Sequence, residues 1–361
     1  MVQTDIELPA TGPLEEVQTA YRTLFNWEYK FRRPELVNLY EKGKKLQWNA
    51  STDIDWSIDV DPERVRPENM NAFDAVLQPP EKLDVKTRQR MRHHFDAWML
   101  SQFMHGEQGA LLATAQLVSA VPWTEAKFYA ANQVADEARH VEVYRRYLTE
   151  KLGLSYPVNP HLRTLLGQII TESRWDMVYL GMQIMVEGLA LAAFGFMRFT
   201  QVEEPLIQQI TTYVMRDEAR HVAFGVLSLE DLYTKEMSST ERKEREEFVI
   251  EATVLMRDRL LMEEVWERIG LDPKIWMPWS LNTPFMVGFR QLLFSKIVPN
   301  LKRLGLLTPR VREKFAQLNI LSYETMPDST QEDETAVPPA LLQLFLQLQA
   351  AGANLTPPSA N

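Results

Sequence analysis

From Glu81 onward apolar side chains return every three or four positions, and between Glu81 and Ile269 no run alternates apolar and polar residues as a half-buried strand requires. The pattern predicts an all-α fold. Breaks fall at Pro122, around Leu152 to Pro160, near Val202 to Pro205 and at Ser238 to Thr240, which leaves at least five long helices. Ser238-Ser-Thr-Glu241 has the spacing of a capping box, so a helix should start there; another is predicted over Pro284 to Arg303. The run from Met177 to Met197 is apolar on every side and long enough for a membrane, but Gln183 and Glu187 interrupt it. A buried core helix is the expectation, and no membrane partner.

Outside this region the pattern is less regular. Residues 1–80 read as an N-terminal wrap, with a helix predicted over Leu14 to Lys30 and an irregular segment from Trp48 to Ser57. Residues 81–324 form the helical domain. Thr325 to Pro339 reads as a polar linker, Leu341, Leu344, Phe345 and Leu348 form an apolar stripe at helical spacing, and the final residues are expected to be disordered.

Composition narrows the function classes. Apolar residues make up 45% of the 361 positions, enough for a sizeable core. The 39 basic and 49 acidic residues give a net charge of -10 without a dense Lys/Arg tract, which argues against a nucleic-acid partner. There is no cysteine, so disulfides, thiolate metal sites and iron–sulfur clusters are excluded together. The N-terminus lacks the basic and apolar regions of a secretory signal, and a cytoplasmic location is the expectation.

One hexapeptide carries the chemistry. Asp136-Glu137-Ala138-Arg139-His140-Val141 recurs letter for letter at Asp217 to Val222. In each copy Glu and His stand three apart, so on a helix they project from one face and can share a metal ion. Glu107 and Glu137 lie 30 residues apart about Pro122; Glu187 and Glu218 lie 31 apart about a point just before Pro205. At 1.5 Å per residue each Glu of the first pair sits about 21 Å from its turn, so the two face each other across an antiparallel hairpin, and the second hairpin repeats the first.

Packed together, the hairpins give a four-helix bundle with Glu107, Glu137, His140, Glu187, Glu218 and His221 at its middle. Four buried carboxylates repel and are costly to desolvate unless two divalent cations cancel their charge. A donor set of oxygen and imidazole suits iron or manganese better than a closed zinc site.

With its two copies of E-x(28 or 29)-D-E-A-R-H, the chain resembles the ferritin-like di-iron carboxylate superfamily. It is similar to bacterial multicomponent monooxygenase hydroxylases and arylamine N-oxygenases, and more loosely to ribonucleotide reductase small subunits and acyl-carrier-protein desaturases. The resemblance covers residues 81 to 235. It implies two iron ions, or a Mn/Fe pair, on the six residues named. It makes Asp136 and Asp217 the partners that hold each ligand imidazole by its other N–H, and Arg139 and Arg220 their charge partners. Val214 stands where the arylamine N-oxygenases carry an additional His.

Some neighbours follow from helical spacing. Gln133 and Gln183 each lie four residues before a ligand Glu, and Tyr144 lies one turn after His140, the radical position in the reductase subunits. Phe103, Ala110, Leu111, Leu191 and Phe194 share faces with Glu107 or Glu187 and are candidates to line an apolar substrate pocket. His93, His94, His105 and His161 have no duplicated counterpart and are read as structural or solvent-facing. The expected function is a di-iron oxygenase or oxidase that acts on O2 and a small or medium apolar organic substrate, fed by an external electron donor such as a reductase or ferredoxin. A homodimer is compatible with it. The rivals are a radical-generating subunit, an acyl desaturase and iron storage or detoxification.

Overall fold

The structure, a computed structural model, describes residues 15–62, 79–201, 204–331 and 346. Among these residues there is no strand. The centre is a bundle of two hairpins. In the first, α2 (Val85–Ala120) turns at Val121 to Trp123 into α3 (Thr124–Arg146). In the second, α5 (Trp175–Tyr179) runs through a π-helical stretch (Leu180–Val186) into α6 (Glu187–Thr200), and α7 (Pro205–Asp231) returns. Between the hairpins lies α4 (Pro160–Thr171).

Local chemistry sets the helix ends. Asp84 caps α2 through the Thr87 amide, and Asn159 caps α4 through that of His161. Proline opens α7 at a position whose N–H would have no helical partner. Ser238 and Glu241 form the expected capping box, which starts α8 (Ser239–Asp258). The helical span from Trp175 to Arg198 is the one described segment long and apolar enough for a membrane, yet 94% of its apolar window is buried against the rest of the chain.

Two expectations need correction. The segment predicted as a helix over Leu14 to Lys30 has no helix in its described residues, and the first helix among the described residues is α1 (Pro34–Lys45). Residues 15 to 33 instead form a strap across the first hairpin. The Leu24 amide donates to Ser119 O at 2.8 Å, Asn26 Nδ2 to Pro122 O at 2.8 Å and Tyr21 Oη to Ile170 O at 2.8 Å. These bonds replace those a helix would make within itself, and Phe25, Trp27, Tyr29 and Phe31 lie exposed at alternate positions, as an extended chain places them.

The helix predicted over Pro284 to Arg303 is two helices, α11 (Pro284–Leu293) and α12 (Ile297–Arg303). Pro299 supplies no amide, and its ring would collide with the carbonyl four residues earlier, so an unbroken helix is prevented. Between α8 and these lie a 3₁₀ turn (Arg259–Leu261), α9 (Glu263–Ile269) and α10 (Pro273–Asn282); α13 (Pro309–Gln317) follows them. The start of the expected linker also packs on the body: Asp328 pairs with Arg303 at 2.8 Å, and the Ser329 amide donates to Asn300 Oδ1 at 3.0 Å. The stripe at Leu341, Leu344, Phe345 and Leu348 lies outside the described residues.

α1 rests on α3 and α7, the two helices that carry the repeated hexapeptide. Close approach requires Gly43, where a Cβ would stand 2.8 Å from Asn132 Nδ2. α7 approaches the π-helical stretch through Gly225, whose Cβ would meet that of Gln183 at 2.6 Å. Both contacts fix the depth at which the central side chains meet.

Candidate metal centre

Glu107 comes from α2, Glu137 and His140 from α3, Glu187 from the start of α6, and Glu218 and His221 from α7. All six side chains are buried. One donor atom from each of Glu107, Glu137, His140 and Glu218 falls within 4.8 Å of the others, and Glu137, Glu187 and His221 form a second such group.

Glu137 and Glu218 lie between the two imidazoles. Glu137 Oε2 is 3.3 Å from His140 Nδ1 and its Oε1 is 3.1 Å from His221 Nδ1. Glu218 Oε1 is 3.1 Å from His140 Nδ1 and 3.5 Å from His221 Nδ1. Several of these close approaches are misaligned for hydrogen bonding: Glu137 Oε2, Glu187 Oε2, both oxygens of Glu218 and His221 Nδ1 are buried without a hydrogen-bond partner. Orphaned lone pairs converging from four helices are what a cation requires and what a self-contained polar network avoids. The residues fit two metal ions: Glu137, common to both groups of donors, and Glu218, between the two imidazoles, would serve both.

The electrostatics of the protein alone agree. Burial, then Glu218, raises the Glu107 carboxyl well above its ordinary range; burial, then Glu137, does the same for Glu187. Burial is also the largest influence on both imidazoles and disfavours their charge. The carboxylates outweigh it, chiefly Glu107 for His140 and Glu137 for His221, so both pKa values lie well above that of free histidine. Protons thus occupy the charge-compensating role that cations would take.

The imidazoles are held crosswise. His140 Nε2–H donates to Asp217 Oδ2 at 3.2 Å, and His221 Nε2–H donates to Asp136 Oδ2 at 3.2 Å, so each copy of the hexapeptide supplies the orienting aspartate of the other. Arg139 pairs with Asp136 and Arg220 with Asp217. Sequence reasoning missed three further donors: Gln47 Nε2 donates to Asp136 Oδ1 at 2.9 Å, Asn132 Nδ2 to its Oδ2 at 3.1 Å, and Trp48 Nε1 to Asp217 Oδ2 at 2.7 Å. Gln47 and Trp48 follow α1 in an irregular segment without periodicity; the one signal was an indole in a polar stretch.

Gln133 Nε2 donates to Glu137 Oε1 and Glu187 Oε1, both at 2.9 Å, and ties the two hairpins together beside the ligands. Gln183 instead donates to Thr114 Oγ1 at 3.2 Å. Tyr144 is fully buried with an unpartnered hydroxyl, against the rings of Phe103 and Phe194. The unduplicated histidines have structural bonds where these are described: His93 to Leu152 O, His94 to the Tyr156 hydroxyl and His105 to Tyr156 O.

A small cavity of about 20 Å³ adjoins Glu107, Glu187 and Glu218. Phe103 and Ala110 line it as expected, together with Val186 and Ala190. Leu111, Leu191 and Phe194 do not. Phe194 packs against Phe103 at 4.6 Å between ring centres and stacks on Tyr144, which fills that side of Glu187, while Leu111 is partly exposed. The free space therefore lies on the Val186 side.

No family model matches the chain, and no curated protein matches it. Among solved structures it is similar to R2-like ligand-binding oxidases. One with aerobically reconstituted Mn/Fe cofactor is 16% identical over 84% of this chain and 95% of that chain, with a TM-score of 0.42. A point variant with anaerobically reconstituted Mn/Fe cofactor is 18% identical over 77% and 95%, with a TM-score of 0.44. Another such variant is 17% identical over 76% and 98%, with a TM-score of 0.45. These are distant likenesses, and the chemistry of the site stands on its own residues.

Proposed function

We propose that the chain is a di-metal oxidoreductase, an oxygenase or oxidase, that uses two iron ions or a Mn/Fe pair to activate dioxygen and oxidise a small organic substrate with an apolar body. The observation that carries this reading is the set of four buried glutamates and two imidazoles with converging, unpartnered donor atoms. When bound, the metals supply the electrons that reduce dioxygen.

The protein's own groups do the rest. Glu107 and His140 would hold one metal and Glu187 and His221 the other, with Glu137 and Glu218 between them. Asp136 and Asp217 fix both imidazoles with Nδ1 toward the carboxylates. Gln133 steers Glu137 and Glu187, so its two N–H bonds set which carboxylate oxygens remain free. Phe103, Phe194 and Tyr144 keep the adjoining face dry, and dryness strengthens each electrostatic contact in the site. The chain has no cysteine with which to hold an iron–sulfur cluster, so electrons for repeated turnover come from a separate reductase.

The test is reconstitution. Anaerobic loading with ferrous ion should give two metals per chain, and admission of air should consume dioxygen. A stoichiometry near one, or loaded protein inert to dioxygen, would sink the reading.

A further inference from the structure

Arg259 borders the same cavity as Glu107, Glu187 and Glu218. It is 6% exposed, and its side chain makes no hydrogen bond or ion pair with any described residue; Nε is fully buried without a partner. Burial alone pulls its pKa down to about 10, with no carboxylate close enough to oppose the effect. The other buried arginines of the core are matched: Arg220 by Asp217, Arg245 by Asp176 at 2.7 Å, and Arg290 by the carbonyls of Ser280 and Leu281. An unmatched buried guanidinium is costly, and apart from the three glutamates and Gln102 the rest of the lining is apolar.

The charge of the site explains what could match it. Four glutamates balance two divalent cations, and the two aspartates behind them are balanced by Arg139 and Arg220. The charge of Arg259 is left over, and one further negative charge would neutralise it. The cavity opens outward at Gly106, which is half-buried and where a Cβ would meet no atom within 4 Å. The backbone beside Arg259 is specialised as well, since Met262 ends the 3₁₀ turn at a positive φ of 56° that a side chain of its size rarely adopts.

We propose that Arg259 is the anion-recognition residue of this cavity, receiving the carboxylate of a small organic monoacid whose apolar body lies against Phe103, Leu162 and Ala190 beside the metal site. The planar guanidinium matches a carboxylate through two parallel N–H bonds. The proposal rests on the di-metal reading, because the charge count needs both cations.

Binding of hexanoate and benzoate, with 1-hexanol as the neutral counterpart and inorganic phosphate as the dianion, can be measured by titration calorimetry on the metal-loaded full chain. Wild type, Arg259→Met and Gly106→Leu are compared, and metal content is determined for each. At least one of the two acids should bind wild type and be at least tenfold weaker in Arg259→Met, with hexanol unchanged between the two. Gly106→Leu should lose the acid and keep both metals. Without ligand, Arg259→Met should melt no lower than wild type, since it removes an uncompensated charge; a structural arginine would give a clear fall. Equal affinity for acid and alcohol, undiminished acid binding in Arg259→Met, a fall in its melting temperature, or tighter binding of phosphate than of either acid would overturn the proposal. If Arg259→Met does not fold, the acid-to-alcohol ratio in wild type and the loss in Gly106→Leu decide. Two metals without acid binding would defeat this inference alone, whereas failure to load two metals would defeat the di-metal reading and this inference with it.

Discussion

The two hairpins carry the same six letters, yet they do not make the same half-site. In the first, Glu107 Oε2 lies 3.3 Å from His140 Nδ1, so the outer glutamate and its imidazole meet directly. In the second, Glu187 is held by Gln133 from the opposite hairpin. Arg139 is 14% exposed and shared with Gln47, whereas Arg220 is 1% exposed and turns to the Arg216 carbonyl at 2.7 Å. The helix that carries Glu107 is regular, and the one that carries Glu187 passes through a π-helical stretch just before it. Duplication supplies a matched ligand set. Unequal surroundings then give each half of the site its own support.

The largest effects should separate bridging from outer ligands. Glu218→Ala should abolish binding of both metals, whereas Glu107→Ala should retain about one per chain, as metal analysis after reconstitution would reveal. Equal losses in the two variants would remove the distinction. The crossed aspartates give the next test. Asp136→Asn should weaken the metal at His221, on the other hairpin, by roughly 10–100-fold, and Asp217→Asn the metal at His140. Loss confined to the variant's own hairpin would show that the crossing has no energetic weight.

A pH series sharpens the comparison further. Glu107, Glu187, His140 and His221 all have raised pKa values, so in the metal-free protein they keep protons that ordinary side chains would already have lost. Metal must displace those protons. Affinity should therefore rise with pH and fall as pH drops, by about tenfold per unit for each proton released. Calorimetry in buffers of different ionisation enthalpy would count them, and a release near zero would contradict the protonated resting state. The smallest effect belongs to Tyr144. Its hydroxyl has no partner, so Tyr144→Phe should change stability by less than about 1 kcal/mol in a melting experiment. It should remove no electron paramagnetic resonance signal, because no stable tyrosyl radical is expected there; a long-lived signal in wild type would favour the radical-subunit rival.

The bundle was legible because its chemistry repeats at helical intervals. Spacings of 30 and 31 residues about a proline place four glutamates at one level, whatever the packing details. Arg259 could not be read in that way. It comes from a turn beyond the bundle, 41 residues after Glu218, and only packing shows that it lacks a partner. Gln47 and Trp48 were hidden for the same reason, whereas Asn132, four residues before Asp136 on α3, was open to the helical-spacing argument. The strap was misjudged because Leu14 to Lys30 has the composition of a helix, while the alternation from Phe25 to Phe31 belongs to an extended chain. Leu191 shares a helix face with Glu187, but the Phe194 ring decided which side of that face stays open.

The Trp48 bond to Asp217 spans 169 positions of chain, and the Gln47 bond to Asp136 spans 89. Each hairpin closes through contacts far nearer in sequence, and the entropy of loop closure favours near contacts over distant ones. The bonds that join the hairpins span 77 and 85 positions, about half the span of the Trp48 bond. Loop closure therefore favours hairpins that meet before Trp48 arrives, with the Asp217 carboxylate behind His140 still open to water. Arrival of Gln47 and Trp48 then closes the back of the site, so the same indole that orients a ligand's partner also acts as the latch on a finished centre.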